Sequence, residues 1–412
     1  MDIRAKLIER LTRYVKIDTT SKEGVEKYPS TDCQLAFQKI LKPELEEIGL
    51  SNVKIDNYGY LTGEIPANCE KENLPVIGFL AHVDTSPETP GKNVNPIIHA
   101  NYDGNDIILP KGNGLNLTVD NSPILKELVG KTIITSDGST LLGADDKAGI
   151  AMIVTLAEYL ISNPEIKHGT MKIAFTLDEE VSRGVEFFDV KAFGCDFAYT
   201  LDGHAVAEIC DETFNASLAK FTVEGINTHP GQAKGKMMNS IRVVNEIINK
   251  IPYEISPEMT DDRTGYLHPY EIEGGVETTK LKVLVRDHDY SKLKEKEEIL
   301  NSIYAEVKEM FPKTKIVLDI KEQYRNMKEY LDKTPLVYEL AYEAFDKVGV
   351  KAKKRLSRGG LDGSDLTLMG LPCPDISCGG ANGHMRDEFC CVEWMETNFL
   401  ALVELLKLWT RQ

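Results

Sequence analysis

The chemistry-bearing residues of this chain fall into five short stretches. Leu141–Gly149 (Leu-Leu-Gly-Ala-Asp-Asp-Lys-Ala-Gly) sets two aspartates on a tight turn before a helix, where they can hold a cation, cap the helix, or do both. His82-Val83-Asp84 follows an apolar run, and its carboxylate, two residues beyond the imidazole, can accept the second ring N–H. Asp178-Glu179-Glu180 follows another apolar run. Three acids in a row commonly form a solvated turn, but directly after a buried strand their repulsion and desolvation call for a cation. Asp202-Gly203 repeats the pattern, and His384 sits in the Gly-rich run Gly379–His384. A lone histidine is more often a satisfied structural residue, and His-x-Asp alone is weak. Together, His82, Asp145, Glu180, Asp202 and His384 offer two imidazoles and three carboxylates, a set that suits two divalent ions of the zinc type with one carboxylate bridging. Two dications, three carboxylates and one hydroxide sum to a neutral site. Metal-bound water ionises near neutrality and supplies a nucleophile, and a glutamate that is not a ligand can shuttle its proton. This is a hydrolase design.

These residues need strands that end at one place. Pro75–Val83, Met171–Leu177 and Phe197–Leu201 read as buried strands, and Ala148–Ile161 as a strong helix, which together predict an α/β domain with a largely parallel sheet. Chemistry in such sheets gathers at the carboxyl ends of the strands. Helices are expected at Ile3–Ile17 and from Ser30-Thr31-Asp32, and a hairpin over Val53–Ile65. Residues 86–130 read as a surface excursion with short strands. Ala216–Gly225, Thr278–Arg286 and Lys315–Ile320 alternate as strands around helices at Asn239–Ile251 and Lys292–Met310, suggesting a compact α+β insert. The first pattern then returns with helices at Pro335–Val348, from Asp365 and at Val392–Thr410, and strands near Ala352–Leu356 and at Pro374–Ser377.

At 412 residues the chain is long for one core. Lys plus Arg number 48 against 65 Asp plus Glu, a net charge of −17 that repels nucleic acid and anionic membrane. No apolar run spans a bilayer, the first residues carry an amphipathic pattern and no signal core, and the eight cysteines include no Cys-x-x-Cys. These features predict reduced, mostly buried thiols in a cytoplasmic protein, and metal ligands drawn from His and carboxylates. His99, His168, His268 and His288 are expected in solvated loops, and His204 in a backbone-bonding role. Phosphate-cradle spacing, a Gly-x-Ser-x-Gly elbow and a catalytic cysteine signature are absent, which argues against nucleotide binding and covalent hydrolysis.

With these stretches in hand, the chain resembles the M20 family of zinc metallopeptidases, in its tripeptide aminopeptidase branch. The resemblance runs over nearly the whole chain and is carried by Ala81–Ser86, Leu141–Gly149, Asp178–Val181, Tyr199–Gly203, His229-Pro230-Gly231, Arg358-Gly359-Gly360 and Gly370–Pro374. It implies an α/β/α catalytic domain of the zinc-peptidase type, residues 1–212 and 325–412, with an inserted ferredoxin-like lid and dimerisation domain over 213–324. It implies two Zn²⁺ per subunit: His82 and Asp202 on one, Glu180 and His384 on the other, Asp145 bridging. Asp84 would orient His82, Glu179 would be the general base, and His229 would steady the oxyanion. Arg286, Asn326 and Arg358 would grip the substrate's carboxylate and backbone. The implied activity is removal of the N-terminal residue of tripeptides by a metal-bridging hydroxide, in a homodimer with hinge closure near residues 213 and 324. Departures from the branch are Ala381 and Gly383 around Asn382, Asp387, Leu361 and His204; the ligand set survives them. A zinc amidohydrolase or deacylase of N-acyl amino acids is the second reading, and a catalytically dead peptide-binding homologue the third. The dead homologue is disfavoured because every candidate ligand and the base are present.

Overall fold

A computed structural model describes residues 1–412. The chain divides into two compact units: Met1–Asp211 with Glu329–Arg355 and Leu361–Gln412, and Glu212–Lys328 with Leu356–Gly360.

The larger unit is built on one mixed sheet. Its strands run in the order Ser51–Ile55, Leu61–Ile65, Met171–Thr176, Ile77–His82, Phe197–His204, Asp375–Ala381, Phe389–Cys391, Ile133–Thr135 and Ile97–His99. The expectation of a largely parallel sheet needs correction. Parallel pairing joins only the four central strands from Met171–Thr176 to Asp375–Ala381, and both wings are antiparallel. The wings are hairpins and short returns, which need no crossover helix. The central strands are the apolar runs: all six residues of Ile77–His82 are buried, as expected for strands covered on both faces. The Ala144–Ser162 helix packs on this centre, with Ile3–Tyr14 and Val392–Trp409 against it. Gly149 permits that packing, since a Cβ there would stand 2.1 Å from the Leu201 carbonyl oxygen.

The smaller unit is a four-stranded antiparallel sheet, ordered Tyr266–Gly274, Thr278–Asp287, Asn215–Glu224, Lys315–Tyr324, with helices Ser240–Lys250 and Tyr290–Met310 packed on it. Its strand–helix–strand–strand–helix–strand order is ferredoxin-like, and Phe221, Val223, Val283, Val244 and Leu300 share its core. The Tyr266–Gly274 strand was not legible in the sequence. It lies at the sheet edge and carries Pro269 beside a register shift, and an edge strand tolerates proline because its missing N–H faces no partner. Residues 356–360 join this unit through the Ser357 N–H, which donates to the Glu212 carbonyl at 3.0 Å, and through Gly360 against the Tyr324 ring.

Two of the four histidines expected to be solvated are buried. His168 is 1% exposed, with Nδ1 2.7 Å from the Gly169 carbonyl, and His288 is 4% exposed against Phe214. Loop position alone did not predict their burial. His99 lies in a strand and bonds the Thr135 hydroxyl at 3.0 Å; His268 lies in the edge strand. All eight cysteines are free thiols, five of them buried.

Candidate metal centre

All four parallel strands deliver their carboxyl ends, or the loop that follows, to one place. His82 is the last residue of its strand and lies opposite Thr176 in register. Asp178 follows that neighbouring strand in a left-handed conformation (φ 60°), turning Glu179–Val181 into a short 3-10 turn. Asp202 lies near the end of Phe197–His204. His384 comes from the loop after Asp375–Ala381, and Asp145 from the entry to the Ala144–Ser162 helix.

Asp145 stands between the two imidazoles. Its Oδ1 is 3.0 Å from His82 Nε2, and its Oδ2 is 3.7 Å from His384 Nε2. Asp202 Oδ1 lies 3.5 Å from His82 Nε2, and Glu180 Oε2 lies 2.8 Å from His384 Nε2. Two half-sites, His82 with Asp202 and His384 with Glu180, therefore share one carboxylate. The ligating atoms of His82, Asp145 and Glu180 all lie within 4.8 Å of one another, as do those of His82, Glu179 and Asp202. Glu180 Oε1 is buried with no hydrogen-bond partner. Such a set of N and O donors, ranging from buried His82 to half-buried His384 and with one buried oxygen orphaned, fits divalent cations of the zinc type.

The surroundings hold these groups in place. His82 Nδ1 lies 3.0 Å from the Asp84 carbonyl and 3.5 Å from its carboxylate. The carboxylate of Asp84 mainly serves the neighbouring turn, accepting the N–H of Glu179 at 3.1 Å and of Glu180 at 3.2 Å. The Asp84 side chain thus ties the histidine strand to the glutamate turn. Asp146 is fully buried; its Oδ1 accepts the Gly149 N–H at 3.1 Å and its Oδ2 the His82 N–H at 3.2 Å, so it caps the helix and anchors the histidine strand. The Asp145–Asp146 peptide is cis.

Charge in this cluster is strongly perturbed. Burial, with Asp145 nearby, pushes Asp202 up to about 7 and Glu180 up to about 8. Burial and then Asp202 hold Glu179 well above the usual carboxylate range. Burial opposes ionisation of Asp145, but the His82 hydrogen bond and the surrounding imidazoles overcome it and hold its carboxyl low. The Glu180 contact raises His384 to about 10. Carboxylates crowded this closely, relieved by the imidazoles of His82, His204 and His384, are what a cation would compensate.

Several supporting residues went unread in the sequence. Buried Glu388 accepts the Gly143 N–H at 2.6 Å and the Asp145 N–H at 3.0 Å. Glu88 lies 3.1 Å from His384 Nδ1, and Asp362 accepts the Thr176 hydroxyl at 2.6 Å. Buried Lys147 donates to the Ile17 carbonyl at 2.7 Å. For Glu388 a signal existed, since it directly precedes an apolar buried strand, as the ligand-type acids follow one. The loop departure at Gly383 has a steric counterpart: a Cβ there would stand 3.0 Å from Asp145 Oδ2 and 3.5 Å from His204 Cε1. His204 itself closes its strand in an exposed position.

His229, Arg286, Asn326 and Arg358 belong to the second unit, each with its own neighbours there. His229 is exposed and accepts the Gly231 N–H at 3.1 Å. Arg286 is largely buried, donating to the Ser217 and Val285 carbonyls with its guanidinium 5.4 Å over the Tyr324 ring. The Asn326 amide is committed to backbone, accepting from Thr213 and Lys328 and donating to the His288 carbonyl at 3.0 Å. Arg358 lies over the Phe214 and Tyr266 rings and donates to the Thr260 hydroxyl at 3.0 Å.

An acid-and-imidazole cluster at the carboxyl ends of the parallel centre of a mixed sheet, in a chain that also carries a ferredoxin-like unit, is the architecture of a metallopeptidase. Residues 138–408 match the profile of peptidase family M20/M25/M40, and the chain belongs to that family. It is 46% identical over 408 residues to a Peptidase T of Caldanaerobacter subterraneus subsp. tengcongensis, covering 99% of this chain and all of that one. Among solved structures, a tripeptidase from Staphylococcus aureus superposes with a TM-score of 0.77 at 21% identity, over 99% of each chain. An aminopeptidase from Bacillus cereus gives 0.75 at 22%, again over 99% of each chain. The fold is that of M20 peptidases.

Proposed function

We propose that this peptidase is a dinuclear zinc aminopeptidase that hydrolyses the N-terminal peptide bond of tripeptides. The observation that carries the metal reading is Asp145, whose two oxygens face two separate imidazoles, each paired with a further carboxylate. The substrate class rests on the full-length likeness to a Peptidase T.

In this reading His82 and Asp202 would hold one zinc and Glu180 and His384 the other, with Asp145 available to both. When bound, the two cations would supply a hydroxide nucleophile near neutral pH and Lewis acidity toward the scissile carbonyl. Glu179 does the proton work. Its carboxyl belongs to the His82–Asp202 cluster, and its environment raises its proton affinity, which suits a group that takes a proton from water and passes it to the leaving amine. Asp84 fixes Glu179 and Glu180 by their N–H groups and lies beside His82. His229 is assigned to the oxyanion, and Arg286 and Arg358 to the substrate carboxylate. Asn326 would act through the backbone it holds. A homodimer in the cytoplasm completes the proposal; eight free thiols suit a reducing compartment, and no helix is long and apolar enough to cross a membrane.

The test is a panel of free tripeptides against N-acyl amino acids with zinc-loaded protein. Release of the first residue from tripeptides is expected. Hydrolysis of the acyl substrates alone would replace this reading with that of a deacylase, and no turnover of either with the metals bound would favour a peptide-binding homologue.

A further inference from the structure

We propose that Arg355 and Asp375 form a positioning pair that fixes the backbone at Asp202 and thereby sets zinc affinity in the His82–Asp202 half of the centre. The inference rests on the dinuclear reading above. Asp375 opens the Asp375–Ala381 strand and has no exposed surface. Register places it opposite Thr200 on the parallel Phe197–His204 strand and opposite Cys210 on the antiparallel Glu208–Glu212 strand. Its carboxylate takes three donors. Oδ1 accepts the Thr200 hydroxyl at 2.9 Å and the Asp202 N–H at 2.9 Å, while Oδ2 accepts Arg355 Nη2 at 2.6 Å.

One oxygen therefore serves the strand that carries the ligand, and the other serves the cation. Arg355 comes from the Lys353–Leu356 strand, which pairs with Glu208–Glu212, so the guanidinium reaches across one strand to the buried carboxylate. The carboxylate has little freedom to swing. A Cβ at Gly203 would stand 2.9 Å from Asp375 Oδ2 and 2.7 Å from Ser377 Cα, which shows how closely that backbone is applied to it. A buried carboxylate without its cation would be an uncompensated charge, and the charge makes its bond to the Asp202 N–H a strong one. Beside the shared Asp145, Asp202 is the carboxylate that faces His82, at 3.5 Å, and it does not pair with His384, so a displacement of its backbone is passed to the His82 half. The second half, His384 with Glu180, hangs on other elements: the loop after Ala381, and the Glu179–Val181 turn held by Asp84.

The test measures Zn²⁺ affinity by competition with a chromophoric chelator, in the intact chain and in a His384→Ala background where only the His82–Asp202 half remains. Arg355→Met is expected to weaken zinc in that background about tenfold or more, the range found for partners one step removed from a metal. In the intact chain one zinc step should weaken while the other stays within about twofold. Arg355→Lys, which keeps the cation, should stay within about threefold of wild type. The double variant Arg355→Met/Asp375→Asn should recover most of the loss, because a neutral amide oxygen still accepts the Asp202 N–H and no charge is stranded. Wild-type zinc affinity in Arg355→Met, with only a lowered melting temperature, would overturn the pair's positioning role. Equal loss of both zinc steps, or a double variant no better than Arg355→Met, would overturn it as well. A wild-type chain that binds no zinc would overturn the dinuclear reading itself, and this inference with it.

Discussion

Glu388 offers a sharp test of how the bridging carboxylate is held. It is fully buried, and its carboxylate accepts two backbone N–H groups at the helix entry, Gly143 at 2.6 Å and Asp145 at 3.0 Å. Gly143 takes a left-handed conformation (φ 82°) there, and Asp145 and Asp146 are not helical, so the helix's own ladder does not organise this turn. Burial lifts the Glu388 carboxyl to about 7, so it is ionised at about pH 8, where hydrogen bonds to a charged acceptor contribute about 1.5–3 kcal/mol each. Glu388→Ala removes two and strands two buried donors; with water entering the space left behind, the expected loss is about 2–4 kcal/mol. Glu388→Gln keeps one acceptor oxygen and should lose about half as much. Because Asp145 faces both imidazoles, loosening its backbone should weaken both zinc ions together, unlike the one-sided effect expected at Arg355. The assay is urea unfolding of the chelated protein, to isolate the structural part, followed by zinc titration. Glu388→Ala within about 0.5 kcal/mol of wild type, with both zinc affinities unchanged, would refute the reasoning.

Glu179→Gln should retain both zinc ions and lose turnover by a factor of about 10²–10⁴ or more; a metal-loaded, fully active variant would remove Glu179 from the base role. Asp145→Ala should cost both metals. Asp146→Ala should chiefly cost stability, through the Gly149 cap and the His82 N–H, and the reverse pattern of metal loss would exchange their roles. In the metal-free protein, burial, and then the Asp145 charge, lift Asp202 to about 7 and Glu180 to about 8, above unfolded values of about 4. The folded state then binds more protons than the unfolded one across that window. The stability these two groups contribute is fully present below about pH 4 and falls as pH rises through their folded values. The same protons compete with zinc, so zinc affinity should climb from about pH 6 to pH 8 with measurable proton release. A urea midpoint of the chelated protein that rises with pH across the window would contradict this.

The centre was legible where chemistry follows strong patterning. His82, Glu180 and Asp202 each sit at or just past the end of a buried strand, so apolar runs followed by ionisable residues announced them. What lay hidden is the layer beneath. Asp375 opens a buried strand and Glu388 precedes one, yet their partners, the N–H groups of Asp202, Gly143 and Asp145, are backbone atoms that no side-chain motif names. The edge strand Tyr266–Gly274 was masked by Pro269 and by acids on an exposed face. The division of work at Asp84 was also beyond sequence reading: spacing placed it beside His82, and only the fold shows its carboxylate taking the N–H groups of Glu179 and Glu180.

The central claim is that two cations share Asp145 and that hydrolysis depends on both. The direct measurement is metal stoichiometry by elemental analysis, taken alongside cleavage of a tripeptide set that varies the first residue, as zinc is returned to chelated protein. The account predicts that activity appears with bound zinc, approaches its full value near two equivalents, and releases the N-terminal residue. Full activity in metal-free protein, or saturation at one equivalent with no second site detectable, would contradict it.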